Sequence, residues 1–214
     1  MEFERLRERM VQQQLCARML RDARVLEAFR RIPRHLFVPE ALRHRAYEDG
    51  PLAIGYDQTI SQPFMVALMV EALHLQGHER VLEVGTGSGY EAAILSQLAL
   101  EVYSVERVPE LAIHATRQLE ALGIANVAVT TGDGTLGWPA HAPYDGILVA
   151  AAATTVPPPL QEQLVEGGRL LIPLGTRKVQ MLLCVQRHGQ TFFERPLTAC
   201  AFVPLIGQHG WPPG

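Results

Sequence analysis

Cysteine and lysine are both scarce in this chain of 214 residues. The three cysteines, Cys16, Cys184 and Cys200, stand far apart with no CxxC pair. That excludes a disulfide framework and a thiolate zinc site, and leaves buried thiols as the reading. The eight histidines form no HxxxH or HxH pair, so a metal site has no support. Lysine occurs once, at Lys178, and no Gly-Lys-Ser or Gly-Lys-Thr is present, which removes a Walker A phosphate loop. Charge of one sign is lacking as well: 19 basic against 22 acidic residues leave a formal charge of −3. Such a balance argues against an electrostatic grip on nucleic acid or on anionic lipid. No apolar run approaches the roughly 20 residues that cross a bilayer. Residues 1–10 alternate in charge where a signal peptide needs an apolar core. A cytoplasmic, monomeric chain with neither nucleic-acid nor membrane partner is therefore expected. With 48% hydrophobic and 19% charged residues, the chain can bury enough apolar surface to fold, and its length suits one domain over 1–214.

Along the chain the hydrophobic period changes. Phe3, Leu6, Met10, Val11 and Leu15 share a face of one amphipathic helix over residues 3–15. Asp22 reads as the N-cap of a second helix, ended by Pro33. A short helix near 39–45, an irregular stretch to residue 60 and a long helix over 63–75 complete an N-terminal part, 1–79. From Arg80 short apolar runs alternate with amphipathic stretches, the signature of a parallel sheet with covering helices. Strands are expected at 80–84, 101–106, 127–131 and 144–150, with helices at about 89–99, 108–122 and 157–166; the βαβ core is 80–166. The last part, 167–214, is strand-like at 169–173, 179–186, 192–195 and 200–205, with Gly189 as a turn. Two or more of these strands are expected to pair antiparallel at one sheet edge. The class is α/β.

The most informative stretch is Val81-Leu82-Glu83-Val84-Gly85-Thr86-Gly87-Ser88-Gly89-Tyr90, a strand that runs into glycines and then into a helix. Glycine serves where the backbone turns sharply or must approach a ligand closely. Glu106 ends the next strand, where a βαβ unit places a carboxylate to bind both ribose hydroxyls of an adenosine. A dinucleotide fingerprint would have its last glycine at position 90, which here is Tyr. The GxGxG spacing with the acidic Glu83 instead suits a nucleoside with an amino-acid tail, S-adenosyl-L-methionine, whose ammonium Glu83 would neutralise directly or through water. Gly132-Asp133-Gly134 follows the third strand, and Asp133 is a candidate acceptor for the adenine amine, although Asp-Gly is also a common plain turn. A methyltransferase with a narrow substrate, a non-catalytic nucleoside-binding module and a nicotinamide oxidoreductase stay open at this point.

Further motifs narrow the field. They include Met10-Val11-Gln12, Ile32-Pro33-Arg34-His35, Phe37-Val38-Pro39, Ala46 to Leu52, Gln58-Thr59-Ile60-Ser61-Gln62-Pro63, Glu166 to Leu170, and Phe202-Val203-Pro204-Leu205. Together with the glycine turn they make nearly the whole chain resemble the protein-L-isoaspartate O-methyltransferases, and the run from Gln58 to Pro63 is the most specific part. Departures are few: Asp57 stands where the family more often has glycine, Phe64 where tyrosine is common, and Thr154-Thr155 where Pro-Glu-like pairs are frequent.

The resemblance implies a doubly wound, mostly parallel seven-stranded sheet of the class I methyltransferase type, with extra N-terminal helices and a modified C-terminal strand order. It implies methyl transfer from S-adenosyl-L-methionine to the free α-carboxylate of isoaspartyl residues in damaged proteins and peptides, with Ser61 as the catalytic serine. The expected cofactor set is Gln58, Thr59, Ile60, Ser61, Glu83, Gly85, Thr86, Gly87, Ser88, Gly89, Glu106, Arg107, Asp133 and Gly134. Thr59, Ser61, Val203 and Leu205 form the expected substrate set, the segment 203–206 offering its backbone as an edge to an extended peptide. Ser61 is also apt as the N-cap of the helix that follows.

Overall fold

The computed structural model describes residues 2–212. Helix α1 (Glu2–Met10) turns Phe3, Leu6 and Met10 toward the core and continues as one wider π-type turn, Val11–Leu15. Asp22 caps α2 (Ala23–Arg31), its side chain accepting from the backbone N–H groups of Arg24 and Val25, and the helix stops at Ile32 ahead of Pro33. Tight 3-10 segments follow at Arg34–Phe37 and Glu40–Arg45.

The stretch read as irregular holds a hairpin. β1 (Leu52–Gly55) pairs antiparallel with β2 (Gln58–Ile60), and the connecting Tyr56 and Asp57 have φ of 54° and 55°. Left-handed geometry at both central positions is the type I′ turn, whose usual signal is Asn-Gly. Tyr-Asp carries no such signal, so the hairpin is hidden from a sequence reading. Helix α3 (Pro63–Leu73) starts with proline in its first turn and is apolar on most sides, consistent with its burial of Val66, Ala67, Met69, Val70 and Leu73.

The central sheet contains β3 (Arg80–Val84), β4 (Glu101–Glu106), β5 (Val127–Thr131), β6 (Tyr144–Val149), β7 (Leu164–Gly175), β8 (Gln180–His188) and β9 (Thr191–Cys200), in the spatial order β5-β4-β3-β6-β7-β8-β9. The strands from β5 to β7 run parallel, and β8 and β9 close the edge as an antiparallel meander. Val81 on β3 joins the core beneath the N-terminal helices and α4 (Tyr90–Leu95). Leu82 and Val84 join a second core on the opposite face, which includes Leu160 of α6 (Pro158–Glu162). Alternate residues of one strand thus feed two apolar layers, which is why parallel strands read as continuous apolar runs.

Several expected boundaries move. The helix near 89–99 shortens to α4, and the one expected over 157–166 to α6, because Leu164, Val165 and Glu166 already open β7. The helix over 108–122 is α5 (Pro109–Ala121). β9 ends at Cys200, so 201–205 is not a regular strand; Pro204 makes a single parallel bridge to Ala152. Of the cysteines only Cys184 is buried; Cys16 and Cys200 are half-buried.

Candidate active site

In an open parallel sheet, ligands bind beyond the carboxyl ends of the strands where the order reverses. Here the reversal lies between β3 and β6, and the Ala150 N–H donates to Val84 C=O at 2.8 Å across it. A cavity of about 220 Å³ opens there. Its walls come from the hairpin and the turn after it (Asp57 to Ser61), from the glycine turn (Gly85 to Ser88), from Glu106 and Arg107, from Ala150 and Ala151, and from Val203 to Ile206.

The glycine turn is shaped by three left-handed residues, Gly85, Gly87 and Gly89, with φ of 98°, 52° and 84°. Gly87 leaves open space toward the cavity, with only Ile54 at 3.4 Å from where a Cβ would stand. Gly89 acts differently, since a Cβ there would meet the Ala115 methyl at 3.1 Å; it lets α4 pack against α5 and does not line the cavity. Glu106, 6% exposed, accepts from Gly87 N–H and Val108 N–H, each at 2.8 Å, and still borders the cavity.

Two expected cofactor acids are placed elsewhere. Glu83 is wholly buried, because it shares its sheet face with Val81 and sits opposite Ser104 in the β3–β4 register. Ser104 donates to it, and Thr86 Oγ1 lies 2.5 Å from Ser104 Oγ. Asp133 is committed to the chain: Oδ1 accepts from the Thr135 N–H at 2.9 Å and its hydroxyl at 2.7 Å, and Oδ2 from the Gln208 N–H at 2.7 Å. It caps a 3-10 turn and anchors the C-terminal segment, so the plain-turn reading describes it; Gly134, not Asp133, reaches the cavity.

Ser61 borders the cavity, half-buried. It is not the helix cap. Gln62 holds that position without a side-chain cap bond, its amide donating instead to Asp49 Oδ1 at 2.7 Å. The Ser61 hydroxyl makes no hydrogen bond among the described residues, so its donor is free for a ligand. Gln58, Thr59 and Ile60 line the same wall.

The expected peptide edge over 203–206 is only partly available. Val203 C=O accepts from Ala152 N–H, Leu205 N–H donates to Ala152 C=O, and Leu205 C=O accepts from Trp211 N–H. Pro204, between them, has no N–H to offer. Val203 and Leu205 border the cavity with these backbone groups already committed.

Sequence reasoning missed Val84, Val105, Ala150 and Ala151, whose signal is their place at the carboxyl ends of parallel strands. It also missed Tyr90 and Glu91, which border the cavity from the first turn of α4. Glu91 is 8% exposed, and its Oε1 has no hydrogen-bond partner. Such an orphaned acid beside a cavity fits a ligand that brings positive charge. The titratable side chains lining the cavity are Asp57, Tyr90, Glu91, Glu106 and Arg107.

Comparison with known proteins agrees with this geometry. The family profile described as Protein-L-isoaspartate(D-aspartate) O-methyltransferase (PCMT) matches residues 5–210. Protein-L-isoaspartate O-methyltransferase 1 of Syntrophobacter fumaroxidans is 52% identical over 209 residues, 98% of each chain. Protein-L-isoaspartate O-methyltransferase 2 of Marinobacter nauticus is 56% identical over 97% of this chain and 95% of its own. A solved structure named protein-L-isoaspartate O-methyltransferase superposes with a TM-score of 0.86 at 32% identity, covering 95% of this chain and 67% of that one.

Proposed function

This chain belongs to the protein-L-isoaspartate(D-aspartate) O-methyltransferase family, and from that premise we infer how its residues divide the work. It is a protein repair methyltransferase that uses S-adenosyl-L-methionine to esterify the free α-carboxylate of L-isoaspartyl residues. The ester then cyclises to a succinimide without further help, since methoxide leaves far more readily than an oxide dianion. A narrow-substrate methyltransferase of the same fold is not favoured, because the named relatives match over almost their full lengths.

The cavity residues fit this cofactor. Glu106 is the ribose acceptor, positioned by the Gly87 and Val108 N–H groups. Gly85, Thr86, Gly87 and Ser88 let the backbone come close to the amino-acid tail, with Arg107, Gly134 and the ends of β3 and β4 around the adenosine. Glu83 acts behind this wall, through Ser104 and Thr86, and touches no ligand. When bound, S-adenosyl-L-methionine supplies an electrophilic methyl group on a cationic sulfur.

The substrate carboxylate has an ordinary pKa of about 3.5 and is already ionised at neutral pH, so no general base is required. What the protein must do is orient one oxygen toward the methyl and exclude water. Ser61 donates its free hydroxyl to the other oxygen. Thr59, Val203 and Leu205 form the wall against which the peptide lies. The observation that carries this reading is the uncommitted Ser61 hydroxyl, bordering the same cavity as the glycine turn and Glu106.

The sheet and the layers on its two faces support one working domain over 1–214. No described helix is long and apolar enough to cross a membrane. A cytoplasmic monomer that engages neither nucleic acid nor membrane is the accompanying proposal, supported by the near-balanced charge. The test is transfer of radiolabelled methyl to an isoaspartyl peptide beside its aspartyl twin. Base-labile label on the isoaspartyl peptide alone is the expected result; label on both would overturn the substrate assignment.

A further inference from the structure

Behind the glycine turn lies a feature that methyl transfer to a carboxylate does not require. Glu83 and Glu91 are two acids in one buried layer, the first wholly buried on β3 and the second 8% exposed on α4. Glu83 Oε2 accepts a hydrogen bond from Ser104, yet its Oε1 has no partner. Glu91 Oε1 has none either, and Glu91 borders the cavity.

Among the described residues, no cation is recorded as acting on either acid. From β4, Glu106 adds repulsion on Glu83, and Ser104 contributes only a hydroxyl. From the glycine turn, Thr86 reaches Glu83 through Ser104. From the N-terminal part, Arg34 is directed elsewhere: it stacks on the Tyr90 ring at 5.0 Å and donates to Ala46 C=O at 2.8 Å. Burial raises the pKa of Glu83 well above the carboxylate range, and repulsion from Glu91 adds to it. Burial alone pushes Glu91 up to about 8. Two carboxylates so placed do not both ionise; they titrate as a pair.

We propose that both acids of the Glu83–Glu91 pair are protonated in the free protein and that Glu91, the member bordering the cavity, releases its proton to solvent when a cationic sulfonium enters. The pair is then a specificity device that separates cofactor from spent cofactor by charge. S-Adenosyl-L-methionine, with its sulfonium, favours the ionised form of Glu91, while Glu83 keeps its proton behind the wall. S-Adenosyl-L-homocysteine, neutral at sulfur, leaves the proton in place. Product departure is thereby coupled to proton uptake by the protein. This rests on the cofactor assignment above.

The experiment is isothermal titration of both ligands in two buffers of different ionisation enthalpy, which counts protons exchanged per binding event. The ligands' own amines titrate in the same range, so wild type is compared with the double variant Glu83→Gln/Glu91→Gln, in which that contribution is unchanged. Near pH 7, S-adenosyl-L-methionine is expected to release up to about one more proton from wild type than from the variant, while S-adenosyl-L-homocysteine shows no such excess. The wild-type preference for the cationic ligand, relative to the variant, should grow by up to about tenfold for each unit that pH rises toward the pKa of Glu91, and level off above it.

Equal proton counts in the two proteins, with both ligands bound, would overturn the proposal. No binding of either ligand to wild type would overturn the cofactor assignment with it. Infrared difference spectra of wild type alone provide a readout that does not depend on the variant folding. The carbonyl stretch of protonated carboxylic acid should weaken with S-adenosyl-L-methionine and keep its intensity with S-adenosyl-L-homocysteine; unchanged intensity with both would equally overturn it.

Discussion

Gly87 donates its backbone N–H to Glu106 Oε2 at 2.8 Å, so the carboxylate that ends β4 holds the turn that follows β3. The other oxygen, Oε1, accepts from Val108 N–H at 2.8 Å. One side chain thereby fixes both the shape of the glycine turn and the acceptor that faces the cavity. Glu106→Ala removes two charge-assisted bonds as well as the ribose acceptor, each bond to a charged group being worth about 1.5–3 kcal/mol. Affinity for S-adenosyl-L-homocysteine, read by titration calorimetry, should fall roughly 10- to 100-fold. An unchanged affinity would remove Glu106 from the cofactor site.

Ser61→Ala separates catalysis from folding. Its hydroxyl caps nothing, since Gln62 holds the N-cap position of α3, so the melting temperature should stay within about 1 °C of wild type. Loss of the donor that orients the substrate carboxylate should lower kcat/KM for an isoaspartyl peptide on the order of 10- to 100-fold, with S-adenosyl-L-homocysteine binding intact. A variant as active as wild type would relieve Ser61 of its role.

Asp57 stands at φ 55° in the hairpin turn, a conformation glycine adopts without a Cβ penalty. Asp57→Gly relieves that strain and gives back part of the gain as chain entropy. A net stabilisation of about 0.5–1 kcal/mol is expected, a rise of roughly 1–4 °C in melting temperature. A lower melting temperature would mean that the Asp57 side chain holds the turn.

Two capping carboxylates, Asp22 and Asp133, contribute to acid stability. Burial pushes Asp22 and Asp133 up, but hydrogen bonds outweigh it and hold both below the usual range: Arg24 and Val25 for Asp22, and Gln208 and Thr135 for Asp133. A depressed pKa stabilises the folded state fully above the unfolded value, about 3.9, and the contribution is lost as pH falls through the folded value. Stability measured by urea unfolding should decline below about pH 4.5 in wild type. The decline should be shallower in Asp22→Asn, and a decline of unchanged steepness would contradict the assignment.

Glu91 acts in the opposite sense. Its pKa is raised by burial to about 8, so the folded state keeps a proton that the unfolded chain gives up from about pH 4.5. Folding stability should fall as pH rises across that window and level off above it. Glu91→Gln should be more stable than wild type at pH 8, with the difference shrinking toward pH 5. A difference independent of pH would mean that Glu91 is ionised in the fold.

The sequence by itself determined the local chemistry of this protein. The apolar runs of β3, β4 and β5 locate those strands, Asp22 announces its helix, and the order Gly85, Gly87, Gly89 then Glu106 announces a nucleoside site, because each signal is carried by residues close along the chain. Tertiary structure decided which of the signalled residues face the ligand. Glu83 and Glu91 read alike as acids, yet strand alternation turns Glu83 into the layer beneath α4, whereas the first turn of that helix brings Glu91 to the cavity. Asp133 is claimed by the N–H of Gln208, a residue 75 positions away that no local pattern connects to it. The hairpin over Tyr56 and Asp57 was likewise settled by pairing of Leu52 with Ile60, against the turn preference of its own residues. Side-chain direction and long-range hydrogen bonding depend on packing between distant segments, and a linear pattern does not encode them residue by residue.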